Sequence, residues 1–345
     1  VWQWNGAASI QISGGGGSGG SASSITFAPG GNISATDVQA AITELDTEKV
    51  AKAGDTMTGL LVLSADPGAP LGAATKQYVD TGDANALKYS AQTLTASQKA
   101  QARANIDALK KNYIINGAMQ ISQENGTTAL NPSSIVVYPV DMFGAFASTE
   151  GTASVAQVAV PTPGGSPSRL RLAVTVADTA VGATNQLQIA TQIEGFRAVD
   201  LRIGSAAAKT VTLQFGCKGP AGTYCIAFLN AASTRAYVAE YVVSSADVTT
   251  GDVVKSITVP LDTAGTWVTD NTRGLNIIFM FMGGSSLQTA TPNTWLGTAA
   301  YCTANQFNLM GSTSNVFELF DVGLYEGAVA PAFQVPDPVS ELALC

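Results

Sequence analysis

Four carboxylates, Glu194, Asp200, Glu240 and Glu318, stand within or beside β-rich stretches, and two such groups facing one another would be able to protonate and attack a glycosidic bond. Each is isolated in its own run, where a single acid is ordinarily a surface or turn residue. The long repetitive pattern of a β-helix, usual in enzymes that cut glycan polymers, is missing, so no enzyme activity is expected. The chain has no histidine, which removes the side chain best suited to moving protons near neutral pH and the commonest metal ligand. Ser-His-Asp, Cys-His and zinc chemistry are thereby excluded. The four cysteines, Cys217, Cys225, Cys302 and Cys345, show neither C-x-x-C nor metal-like spacing, so no metal and no cofactor is expected. Cys217 and Cys225 flank Lys218-Gly219-Pro220-Ala221-Gly222, a turn-forming stretch. They are expected either as buried free thiols or as a disulfide across a hairpin, the latter only with a favourable register. For ligand contact by stacking and hydrogen bonding, the candidates are Trp267, Trp295, Tyr301 and Asn305. Packing or solvated-loop duty is the competing role of each.

Elements that would position these groups follow from periodicity. From about residue 113 onward, alternating β-rich runs are divided by Gly, Pro, Asn and Asp. Strands are expected at 154–160, 169–176, 186–193, 210–217, 224–229, 236–243, 254–259, 275–282 and 316–325. This density points to a two-sheet antiparallel sandwich of jelly-roll type over 112–330. Upstream, 13–24 is almost wholly Gly and Ser and reads as a linker, following an end of a β module at 1–12. Gly15, Gly17 and Gly20 satisfy G-x-G-x-x-G there, but without a surrounding βαβ pattern the match is accidental.

Two short amphipathic helices are expected in the N-terminal third. One starts at Thr36, with Gln39 three residues on as in a capping box, and carries the stripe Val38, Ile42, Leu45. The other covers 95–109, capped by Thr95 and Gln98, with the stripe Ala102, Ile106, Leu109. Neither is long enough to stand alone in water. Either identical neighbours in a parallel trimer bury the stripes, or the helices pack on the C-terminal domain of their own chain. The layout is therefore 25–53 as strand, turn and helix, 54–90 as stalk, 91–111 as helical connector, and 331–345 as a C-terminal extension that reads as truncated.

Charge narrows the partners. Of the 345 residues only 12% are charged, and the net charge of -8 repels nucleic acid and anionic membrane surfaces. The longest apolar run, 275–282, is too short to span a bilayer and contains Asn276, so membrane insertion is not expected.

Lys52-Ala53-Gly54-Asp55-Thr56-Met57-Thr58-Gly59, followed by Leu61, Leu63, Pro67, Pro70 and Ala73-Ala74-Thr75-Lys76-Gln77-Tyr78-Val79-Asp80, resembles the stalk repeat of tailed-bacteriophage tail fibres. The segments 33–46 and 94–106 are similar to other phage-fibre segments. So are Asn112-Tyr113-Ile114-Ile115-Asn116-Gly117-Ala118-Met119, Gln192-Ile193-Glu194-Gly195, Phe317-Glu318-Leu319 and Glu341-Leu342-Ala343-Leu344-Cys345 to phage appendage domains. The closing strand, Asp321-Val322-Gly323-Leu324-Tyr325-Glu326-Gly327, matches only loosely. The resemblance implies a homotrimeric virion protein of a phage tail, collar or head appendage, assembled in the host cytoplasm. It implies contact with other virion proteins through the N-terminal side. It also implies a sandwich akin to carbohydrate-binding modules, with host cell-surface polysaccharide as a partner. A purely structural fibre is the alternative, and a glycan depolymerase the third.

Overall fold

The computed structural model describes residues 2–4, 9–11, 21–31, 33–48, 65, 77, 79–80, 94–105 and 110–345. The chain divides into two compact units, Val1–Tyr89 and Ser90–Cys345. In the first, β1 (Trp2–Trp4) pairs antiparallel with β2 (Ser9–Gln11), and α1 spans Val38–Glu48. The cap of α1 is Asp37, whose Oδ1 accepts the backbone N–H of Ala40 at 2.9 Å, so the helix begins one residue later than a Thr36 cap requires. Glu44 reaches back to the N–H groups of Ser34 and Ala35 and ties the preceding turn to the helix. Ala41 is the buried contact of α1, whereas Ile42 is 55% exposed and Val38 and Leu45 are half-buried.

The second unit opens with α2 (Ala96–Asn105), where the expected capping box forms: Thr95 Oγ1 accepts from Gln98 N at 3.2 Å and Gln98 Oε1 accepts from Thr95 N at 3.0 Å. Ala102 is half-buried; Ile106 and Leu109 lie outside the described residues, as does most of 54–90.

The rest is a β-sandwich of two open antiparallel sheets in a jelly-roll-like arrangement. Its strands are β3 (Val137–Val140), β4 (Phe143–Ser148), β5 (Thr152–Val158), β6 (Arg169–Val176), β7 (Gln186–Glu194), β8 (Thr210–Lys218), β9 (Gly222–Asn230), β10 (Ala236–Val243), β11 (Val253–Pro260), β12 (Arg273–Gly283), β13 (Trp295–Leu296) and β14 (Val316–Glu326). The larger sheet has the order β13-β10-β9-β12-β7-β4-β3 and the smaller β11-β8-β14-β6-β5. Short helices α3 (Gly195–Ala198), α4 (Ser245–Thr250) and α5 (Pro338–Leu342) punctuate the connections. Every strand expected between 154 and 325 forms within a few residues of its expected bounds, while the short strand expected at the start of 25–53 is reduced to the isolated bridge between Thr26 and Asp37. No helix among the described residues is long and apolar enough to cross a membrane.

Period-two alternation builds the core. Val211, Leu213, Phe215 and Cys217 of β8 face Ile226, Phe228, Ile277, Phe279 and Phe281 of the larger sheet, all at or near zero exposure. Phe215 packs edge-on against both Phe279 and Tyr241, with centroids 5.2 and 5.0 Å apart. At these separations the two sheets are locked side chain into side chain.

β14 carries a bulge between Phe320 and Gly323. Asp321 at the bulge has φ 49° and is buried, its carboxylate accepting from Thr162 Oγ1 at 2.8 Å, Ser166 Oγ at 2.5 Å and Gly164 N at 3.0 Å. Beside it the Phe320 ring lies over Gly216, where an added Cβ would come within 2.1 Å of the ring. Arg169, 2% exposed, lies over that ring at 4.5 Å. Its guanidinium also bonds Asp252 (2.8 and 2.9 Å), Glu318 (2.9 Å) and the carbonyl oxygens of Val160 and Pro161.

The hairpin that a Cys217–Cys225 disulfide would need does not form. β8 and β9 belong to different sheets, and the short turn between them crosses from one layer to the other. Cys217 points into the inter-sheet core and Cys225 to the outer side of the larger sheet, so both are buried free thiols, as is Cys302. Burial pushes Cys217 and Cys302 up to about 12.

Candidate functional site

Two strands of the larger sheet, β9 and β12, are apolar on both faces, and the outward set explains what covers them. Cys225, Ala227, Leu229, Ile278 and Met280 form a second small core with Ala300 and Cys302, against which Leu287, Leu296 and Tyr301 pack. The segment 284–306 is thus a fixed cover over half of the outer face. Gln306 pins its end, accepting from Cys225 N at 2.9 Å and donating to Met280 O at 3.1 Å. Thr303 N donates to Cys225 Sγ at 3.3 Å.

Beyond this cover the outer face opens over β7 and β4. Leu187, Ile189 and Ile193 of β7 point into the core, so Gln188, Ala190 and Gln192 point outward; the first two are half-buried and Gln192 is exposed. Register sets their neighbours: Gln188 lies between Phe146 and Met280, Ala190 between Gly144 and Ile278, and Gln192 beside Asn276. On the far side, Val136 and Tyr138 stand over Gly144, where an added Cβ would meet Val136 Cγ1 at 2.7 Å and the Tyr138 ring at 3.3 Å. Tyr138 remains 46% exposed. The result is a shallow trough running along β7, bordered by Tyr138 and Val136 over Gly144 and by the cover, whose Leu287 and Tyr301 pack with Ala190 on the second core.

The floor of this trough carries unspent hydrogen-bonding capacity. Gln188 Oε1 and Asn276 Oδ1 are buried without a partner, and neither side-chain amide makes a hydrogen bond among the described residues; Asn276 is only 9% exposed. Amides so placed cost free energy until something bonds them. Next to these buried amide oxygens Gln192 and Tyr138 are exposed, and an amide with an aromatic ring on an open sheet face suits a hydroxyl-rich, ring-shaped ligand.

The residues singled out in the sequence fall into two groups. Trp267 and Trp295 meet edge to face with centroids 5.6 Å apart, and Trp295 also packs on Tyr237 at the sandwich edge. Their indole N–H groups already donate, to Ala264 O at 3.1 Å and Pro260 O at 2.7 Å, so packing accounts for both. Tyr301 lies in the cover beside the trough, and exposed Asn305 donates to Glu240 Oε1 at 3.1 Å. Tyr138, Phe146, Gln188, Gln192 and Asn276 were not singled out. Their signal is the alternation Gln186, Gln188, Gln192 along one face of β7, legible once that strand is known to have an open side.

The four carboxylates occupy separate elements. Glu194 closes β7, opposite Arg273. Asp200 accepts from Tyr113 Oη at 2.6 Å and Lys111 Nζ at 3.3 Å. Burial raises its carboxyl, but these donors outweigh that and leave it below its ordinary value. Glu240, on β10, accepts from Thr303 Oγ1 and Asn305. Glu318, on β14 in the other sheet, is held by Arg169 at 2.9 Å and Arg171 at 2.7 Å. Among the described residues, no three or more His, Cys, Asp or Glu side chains are grouped so as to hold a metal ion.

No family model matches the chain, and no curated protein matches its sequence. Among solved structures it is similar to an arabinose-bound GH51 α-L-arabinofuranosidase (11% identity, TM-score 0.33), covering 64% of this chain but 27% of that one. It is also similar to the enzymatically active domain of bacteriophage CBA120 tailspike protein 4 (10% identity, TM-score 0.30, 63% of this chain and 21% of that one). A family 11 carbohydrate-binding module from a Clostridium thermocellum cellulase gives 12% identity and TM-score 0.29, with 60% and 99% covered. At such values these likenesses assign neither ligand nor activity.

Proposed function

We propose that this chain is a structural fibre or appendage subunit of a tailed bacteriophage, homotrimeric through its N-terminal stalk, whose sandwich attaches the virion to a host-surface glycan. The trough carries the attachment reading: exposed Tyr138 and Gln192 on a sheet face that also holds the unpartnered amide oxygens of Gln188 and Asn276. The phage context rests on the fibre-like motif at 52–80 and on the flanking segments that resemble other fibres. Ile42, exposed on the single chain, is the kind of residue a neighbouring copy would cover.

The sandwich binds without cleaving. Glu318 is tied to two guanidinium groups and Asp200 to Tyr113 and Lys111, so neither is free to exchange protons with a sugar. Weak single sites gain strength from threefold presentation. N-terminal residues would join the chain to other virion proteins; nucleic acid, membrane insertion and cofactors play no part.

Adsorption to host cells tests this. Tyr138→Ala and Gln192→Ala should each weaken binding of the full chain with its thermal unfolding unchanged, whereas Trp267→Phe, at a packed edge, should leave binding intact. If both trough variants adsorb as well as the parent, the chain is a fibre without receptor contact at this face.

A further inference from the structure

Resting on the glycan-binding reading of the trough, we infer that its ligand is an uncharged polysaccharide, held along an internal stretch and not by a chain end. Length is the first ground. Gln188 and Gln192 are separated by four residues of extended strand, about 13 Å, and Asn276 sits beside Gln192 while Phe146 sits beside Gln188. The polar floor is therefore longer than one pyranose ring. The same face of β7 continues past both ends of that stretch, to Gln186 and Glu194.

Charge is the second ground. Tyr138, Phe146, Gln188, Ala190, Gln192 and Asn276 are all uncharged. The acids of the same sheet face are Glu240 under the cover and Glu194, two residues beyond Gln192 and on the same side of β7, where Arg273 stands opposite it. Arg273, the cation nearest in register, donates to Ala231 O at 2.6 Å. Arg169 and Arg171 belong to the other sheet, where Glu318 holds them. A carboxylate entering the trough would lose water and find no cation among the floor residues, and Arg273 at the strand end already faces Glu194. A neutral sugar gives up only hydroxyl hydration, which the exposed Gln192 amide can replace.

The full chain is tested against soluble neutral glucans, galactans and mannans, each beside its carboxymethylated form, by affinity electrophoresis and calorimetry. Expected are binding to at least one neutral polymer, at least tenfold weaker binding after carboxymethylation, and loss of binding in Tyr138→Ala. Oligosaccharides of that polymer should inhibit better as they lengthen, and equally well after their reducing ends are converted to alditols. Gln192→Lys should narrow the gap between neutral and carboxymethylated polymer, and added salt should restore the gap. A preference for carboxymethylated polymer that Tyr138→Ala abolishes would overturn the neutral assignment while leaving the trough as the site. So would trough-dependent binding to bacterial cells with no binding to any neutral polymer. A monosaccharide that inhibits as well as the polymer would overturn the internal-stretch assignment. Polymer binding that Tyr138→Ala, Gln188→Ala and Gln192→Ala all leave unchanged would overturn the glycan reading of the trough itself.

Discussion

Replacing Arg169 with methionine should be among the most destabilising single changes in the sandwich, and the structure says by how much. The guanidinium is 2% exposed and bonds Asp252, Glu318 and the carbonyls of Val160 and Pro161, while stacking on Phe320. Methionine fills much of the volume but leaves those acceptors without donors. Glu318 keeps Arg171, and Asp252, with 26% of its side chain exposed, can partly hydrate. The cost therefore belongs at the lower end of the range for breaking a buried ion pair, about 3 kcal/mol. For a domain of this size that lowers the melting temperature by roughly 10 °C. Calorimetry and urea unfolding of the full chain would measure it. Glu318→Leu is the second corner of a double-mutant cycle: it leaves Arg169 with Asp252 and frees Arg171, whose side chain is 42% exposed, to take up water. The double variant should then be better than the sum of the singles by at least about 1 kcal/mol. Strict additivity, or a single-variant loss below about 1 kcal/mol, would refute the reasoning that a shared, desolvated charge network holds the 159–168 segment on the sheet.

Other outcomes follow from the same coordinates. Asp178 is held below its ordinary 3.8, first by the Thr149 hydroxyl and then by the N–H groups of Glu150 and Ala180, while burial works the other way. Asp247 is lowered to about 2, first by Lys255 and then by Ser244. Folded values below the unfolded ones mean stability that is complete above about 3.8 and is lost as pH falls through the lower values, so urea midpoints should hold near neutrality and drop only in acid, less so in Asp247→Asn. Ile42→Asp should leave the helical signal of α1 in place, because the side chain is 55% exposed on the single chain, yet lower the mass seen by light scattering if identical chains cover it. A trimer unchanged by this substitution would move the seam elsewhere. Under native conditions an aromatic disulfide reagent should reach Cys345 alone, and slowly, since burial and neighbouring acids raise its thiol to about 11; all four cysteines should react after unfolding.

β6 was readable because its alternation reports a sheet with one wet face, and β9, β10 and β12 because they are short, mostly apolar runs; β6 and β10 match their expected bounds to the residue. β3, β4 and β13 went unread for physical reasons. β3 holds Pro139 at a sheet edge, β4 is a short Gly- and Ala-containing run whose small residues make room for Tyr138, and β13 has two residues. Cys217 and Cys225 illustrate a different limit: a turn signal between two strands does not say whether the second strand returns beside the first or crosses to the facing sheet. The trough was hidden for a related reason. Gln188 and Asn276 acquire meaning only through their cross-strand neighbours, and pairing between β7, β4 and β12 is not written in the local sequence of any of them.

The way the chain enters the sandwich fixes how the fold responds to tension. Residues 110–117 run antiparallel beside β14: Tyr113 N donates to Leu324 O at 3.0 Å, Leu324 N to Asn112 Oδ1 at 3.0 Å, and Val322 N to Gly117 O at 2.9 Å. β14 is itself the middle strand of its sheet, gripped by β8 and β6. A pull arriving through Lys110 therefore acts along the strand axis, across several hydrogen bonds loaded together in shear, and not on one bond at a time as in peeling. Lys110 Nζ, bonded to Val329 O at 2.9 Å, ties the entering segment to the residues that leave β14. Tension on this segment would thus be met first by a strand paired on both sides, while the trough lies on the opposite sheet.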